Sequence, residues 1–62
     1  MRQYTVREMQ QILTDNGYVL ARRQSSHQIW KRDGETISLP IVTLKSVIAL
    51  RLIKEHRLVL YR

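Results

Sequence analysis

Apolar residues recur along this chain with two different periods, and the change from one to the other marks out its elements. Val6, Met9, Ile12 and Leu13 fall at i, i+3, i+6 and i+7, one stripe of an amphipathic helix, and leave Arg7, Glu8, Gln10, Gln11 and Thr14 largely outside it. Thr5-Val6-Arg7-Glu8 fits a capping box, in which the Thr5 hydroxyl accepts from the Glu8 amide and the Glu8 carboxylate reaches back to the Thr5 amide. Asn16-Gly17 closes the helix, with Gly17 supplying the left-handed residue beyond the C-cap. From Tyr18 the texture changes: residues 18–23 combine aromatic and β-branched side chains and predict a strand.

Gln24-Ser25-Ser26 is the expected turn and residues 27–31 the second strand. Asp33-Gly34 then signals a tight hairpin into a third strand over 35–39. Ile37 and Leu39 share one face of that strand, Thr36 and Ser38 the other, and Pro40 stops it. Thr43 is placed to cap a second helix from Leu44 to about Glu55, whose apolar positions spread beyond one narrow stripe and predict contact on two sides. Residues 57–62 are too apolar for a solvated tail and predict a short extra strand or a docking segment. The order is α-β-β-β-α: an α+β fold with a three-stranded antiparallel sheet and two helices on one face.

Composition adds partners and removes chemistries. Sixty-two residues make one domain or a fragment of one, and the 44% hydrophobic content excludes simple disorder. So small a core leaves little stability margin, so a partner or a dimer is expected to contribute. Eleven Lys or Arg against five Asp or Glu give a net charge of +6, which points to a polyanion: nucleic acid, anionic membrane or an acidic protein. The lack of cysteine excludes disulfides, thiolate zinc sites and cysteine nucleophiles together. No apolar run approaches the roughly 20 residues of a membrane span, and the first residues lead into a charged helix rather than a signal peptide; a cytoplasmic protein is expected.

His27 is the most informative polar residue. It stands where the Ser25-Ser26 turn enters a strand, close to Arg22, Arg23, Lys31 and Arg32, so an imidazole could move protons there while cations hold a phosphate. The plainer alternative is a surface histidine at a strand edge. His56, at the end of the second helix, suits the negative end of a helix dipole. Two isolated histidines and scattered carboxylates have no metal-ligand spacing, two glycines make no phosphate loop, and Ser25 and Ser26 have no oriented partners for a serine triad. Neither metal nor cofactor is expected. Arg22, Arg23, Lys31, Arg32, Lys45, Arg51, Lys54 and Arg57 form either a phosphate-tracking surface or a solvated outer face. Trp30 and Tyr18 are the available stacking groups, with a core or interface role favoured for Trp30.

The Asn16-Gly17-Tyr18 break, the strand ending in basic residues, Ser26-His27 before Ile29-Trp30, the Asp33-Gly34 hairpin, Ile37-Ser38-Leu39-Pro40 and Thr43-Leu44-Lys45-Ser46-Val47-Ile48 together resemble the HicA toxins, small bacterial and archaeal mRNA interferases. The resemblance covers nearly the whole chain. It implies a single HicA-like domain over 1–62 with the fold of double-stranded-RNA-binding domains. It further implies a toxin of a type II toxin–antitoxin system, a metal-independent endoribonuclease that cleaves mRNA and inhibits translation, with His27 as the catalytic histidine. Arg22, Arg23, Ser26 and Lys31 become the candidate RNA contacts, and the implied partners are mRNA and a HicB-like antitoxin, in a hetero-oligomer or a homo-oligomer. Ser25 stands where the family usually has glycine, Ile41 and Val42 stand where members often carry a second histidine, and the segment after Pro40 is short. These differences keep a second class open, a non-catalytic RNA-binding or antitoxin-binding module on the same fold. A small DNA-binding helical protein is disfavoured by the hairpin, where a helix-turn-helix needs another helix.

Overall fold

In a computed structural model, which describes residues 3–42 and 44–60, the chain runs through α1 (Val6–Asp15), β1 (Val19–Gln24), β2 (His27–Arg32), β3 (Glu35–Pro40) and α2 (Ser46–Glu55). The three strands form one antiparallel sheet in the order β1-β2-β3. The expected α+β architecture is the one observed, with strand ends shifted by a residue or so.

Local chemistry explains the boundaries. Thr5 Oγ1 accepts from the Glu8 amide at 3.1 Å and the Thr5 amide donates to Glu8 Oε1 at 3.0 Å, so the capping box of α1 is complete. At its other end Gly17, with φ +86°, donates to the Thr14 carbonyl while Tyr18 donates to the Leu13 carbonyl, the bond pair of a Schellman motif. Asp33 and Gly34 both have positive φ, as a type I′ hairpin turn requires.

The second helix begins later than its sequence suggests. Lys45, not Thr43, is the N-cap; it gives no side-chain bond because an ammonium has no acceptor to offer the first amides. Thr43 lies outside the described residues, and Leu44 packs against the core from outside the helix. At its C-terminus α2 repeats the Schellman pattern of α1 with a side chain at the left-handed position. Arg57 has φ +51°, its amide donates to the Lys54 carbonyl at 3.3 Å and that of Leu58 to the Ile53 carbonyl at 2.9 Å.

Met9 and Leu13 of α1, Ala49 of α2 and Trp30, Ile37 and Leu39 of the sheet form one buried cluster, so both helices cover the same sheet face. Leu52 and Ile53 extend that contact, whereas Val47 and Leu50 remain exposed. The two-sided contact expected of α2 is therefore one-sided within this chain. Residues 58–60 form no strand. Leu58 is buried, and Val59 exchanges two hydrogen bonds with the Asn16 side chain, donating to Oδ1 at 2.8 Å and accepting from Nδ2 at 2.9 Å. Tyr61 and Arg62, the rest of the expected docking segment, lie outside the described residues.

Arg32 ties this corner together. It donates to the Asn16 carbonyl at 2.7 Å and to Glu35 at 2.8 Å, with its guanidinium 4.6 Å from the centroid of the Tyr18 ring. The hydrogen bond from Arg32 holds the Glu35 carboxyl below its usual range, and burial pushes the Tyr18 phenol up.

Candidate nucleic-acid interface

The face of the sheet away from the helices is built in three cross-strand rows. Register aligns Gln24, His27 and Pro40, then Arg22, Ile29 and Ser38, then Val19, Lys31 and Thr36. None of these nine residues is a carboxylate. Arg22 and Lys31 are exposed, His27 and Ile29 half-buried. Three of the sequence candidates, His27, Arg22 and Lys31, thus share one face, and Ser26 meets them from the β1–β2 turn with its Oγ 3.1 Å from His27 Nδ1. That contact fixes the ring. With Nδ1 donating to the hydroxyl oxygen, Nε2 is a free base in the neutral ring and carries the acidic proton in the imidazolium; with Nδ1 accepting, the neutral ring presents only an Nε2–H donor.

A β-bulge decides the membership of this face. Leu20 pairs with Trp30 but Arg22 with Ile29, so Ala21 is the extra residue and the alternation reverses at that point. Strict alternation from Leu20 would have sent Arg22 towards the helices. Instead Arg23 goes there, joining Arg7, Gln10, Gln11 and Leu20 around an open groove of about 360 Å³ between α1 and β1. The adjacent arginines 22 and 23 therefore serve opposite faces.

The stacking candidates are committed elsewhere. Trp30 is buried and donates through Nε1 to Gln28 Oε1 at 3.2 Å, and Tyr18 is buried beneath Arg32. Lys45, Arg51, Lys54 and Arg57 lie on α2 and its flanks, in the helical layer. Among the described residues no three His, Cys, Asp or Glu side chains gather where they could hold a metal ion.

Sequence reasoning passed over Asn16, which it used only as a helix stop, and Gln28, a buried amide whose Oε1 also accepts from Gln10 Nε2 at 3.0 Å. Strand alternation carried the signal for Gln28, which shares a face with Trp30 two residues on. Nothing in the sequence marked the clasp between Asn16 and Val59, whose partners are 43 positions apart. Comparison with family models, with curated proteins and with solved structures finds no match.

Proposed function

We propose that this chain is a HicA-like RNA-cleaving toxin, acting without a metal on mRNA through His27. The observation that carries the reading is the Ser26–His27 contact, set on the sheet face away from the helices, with Arg22 in the next row, Lys31 in the row beyond it and no carboxylate among them. RNA brings its own nucleophile. Attack of the 2′-oxygen on the adjacent phosphorus expels the 5′-oxygen, leaving a 2′,3′-cyclic phosphate and a 5′-hydroxyl. A positioned imidazole supplies one of the two proton transfers, worth roughly 10²–10⁴ in rate, and Arg22 or Lys31 offsets charge on the phosphorane oxygens.

One observation favours the second reading, a non-catalytic RNA- or antitoxin-binding module. The Ile41 amide donates to the Ser26 carbonyl at 3.0 Å, so an apolar residue sits beside the turn, in the segment where the family often has its second histidine. With one imidazole, the other proton must pass to or from solvent, and cleavage is slow. Incubating the protein with long single-stranded RNA in excess EDTA separates the readings. Slow cleavage yielding cyclic-phosphate ends is the expected result; intact RNA that is nonetheless bound transfers the proposal to the module.

The proposed partner is an acidic, HicB-like antitoxin, which would neutralise part of the +6 charge and cover exposed apolar residues such as Val47 and Leu50. Among the described residues no helix is long and apolar enough to cross a membrane. Co-purification with the product of the adjacent gene tests the pairing. Isolation of this chain alone beside a soluble, expressed neighbour would contradict it.

A further inference from the structure

We propose that the groove between α1 and β1 is a second phosphate-binding site, which holds the single-stranded flank of an RNA whose reacting phosphate lies on the opposite sheet face. The inference rests on the RNA reading above and adds to it a subsite and a substrate class.

Three observations converge on the groove. First, it brings together two arginines 16 positions apart in sequence, Arg7 from α1 and Arg23 from β1, and none of its lining residues is a carboxylate. Glu8, the neighbour of Arg7, turns back to cap its own helix, and neither arginine is in an ion pair among the described residues. Two cations lining one cleft raise the local concentration of anions there. Second, the polar walls are already occupied. Gln10 donates to Gln28, Gln11 to Asp15 one turn further on, and Thr14 to the Gln10 carbonyl. The amides are therefore fixed supports, and the guanidinium groups are what the groove presents to a ligand. A site of that kind recognises phosphate charge rather than base identity.

Third, β1 is an edge strand, and its bulge turns Arg22 to the His27 face and Arg23 to the groove. A chain crossing that edge meets both cations in succession, and the reacting phosphate and its flank are then held on opposite sides of one strand. Only a flexible polymer can take such a path. A duplex, with a persistence length of roughly 50 nm for DNA, does not fold around a single strand edge.

Binding of a short fluorescent 2′-O-methyl oligoribonucleotide, which lacks the nucleophile, tests the groove apart from cleavage. Arg7→Gln and Arg23→Gln are each expected to weaken binding about 5- to 10-fold and to lower the salt slope by about 0.7, the value for one lost single-strand phosphate contact. Arg51→Gln, on the outer side of α2, should change affinity less than about twofold. A duplex of the same sequence should bind more weakly than the single strand. Thermal unfolding of each variant checks that the fold is kept. Groove variants that bind like wild type, while Arg22→Gln or Lys31→Gln binds weakly, would remove the groove and leave the RNA reading intact. Tighter binding of the duplex would overturn the single-strand assignment. Absence of RNA binding by the wild type would defeat the RNA reading itself, and the inference with it.

Discussion

The two faces of this sheet use the same three strands for opposite ends. Towards the helices, Trp30, Ile37 and Leu39 close the core, and two polar side chains beside it are tied down, Gln28 by Gln10 and Trp30, Arg32 by Asn16 and Glu35. On the other side His27, Arg22 and Lys31 surround Ile29 with little to hold them beyond their own strands and the Ser26 hydroxyl. In a domain this small, stability is concentrated on one face, which leaves the other free to carry charge. Stability and RNA binding should accordingly respond to different substitutions.

The largest contrast is expected between two aliphatic truncations on neighbouring strands. Leu39→Ala removes a fully buried side chain and is expected to cost about 2–5 kcal/mol, comparable with the roughly 3–5 kcal/mol that a single core supplies at this size, so the variant should be mostly unfolded. Ile29→Ala, half-buried on the opposite face, should cost only about 1 kcal/mol. Urea unfolding followed by circular dichroism measures both, and equal losses would mean that the faces are not energetically distinct.

Asn16→Ala should lose about 1–2 kcal/mol by deleting the two bonds to Val59, and the Val59 amide should lose its protection from hydrogen exchange. Unchanged protection would show that the tail docks through Leu58 alone.

Smaller effects come from the helix ends. Arg57→Gly should stabilise by about 0.5–1 kcal/mol, because a left-handed residue at φ +51° costs a side chain what glycine avoids. Gly17→Ala should destabilise by about 1 kcal/mol or more, since φ is +86° and the added carbon would lie 3.3 Å from Arg32 Cδ. Thermal midpoints moving in opposite directions would match.

The smallest is the pH response of the Arg32–Glu35 pair. The folded-state value of Glu35 is depressed, so its contribution is present above the unfolded carboxylate range, near pH 4.3, and is lost as pH falls through the lower folded value. Glu35→Gln should flatten that part of the acid unfolding curve, and an unchanged curve would contradict the assignment.

Periodicity made the fold legible because each element carries its own local cause: the Thr5–Glu8 box, Gly17, the Asp33-Gly34 turn and the alternation of Ile37 and Leu39. It misplaced the start of α2 because the N-cap falls on Lys45, a residue type with no capping acceptor to mark it, while Leu44 packs on the core from outside the helix. The candidate site was half legible. Ser26 and His27 are neighbours in sequence and in space, but the division of Arg22 from Arg23 depends on a bulge at Ala21 that no residue type announces. Long-range pairing, as between Arg32 and Asn16, cannot be read from local spacing.

The central claim is that His27 moves a proton in RNA cleavage and does not hold the fold together. Purified wild type and His27→Ala, compared in one buffer containing EDTA, test it directly through cleavage of a long single-stranded RNA, with unfolding and RNA affinity measured alongside. The account predicts a loss of cleavage of roughly 10²-fold or more, with stability changed by less than about 1 kcal/mol and affinity nearly intact. Equal cleavage by the two proteins would contradict it.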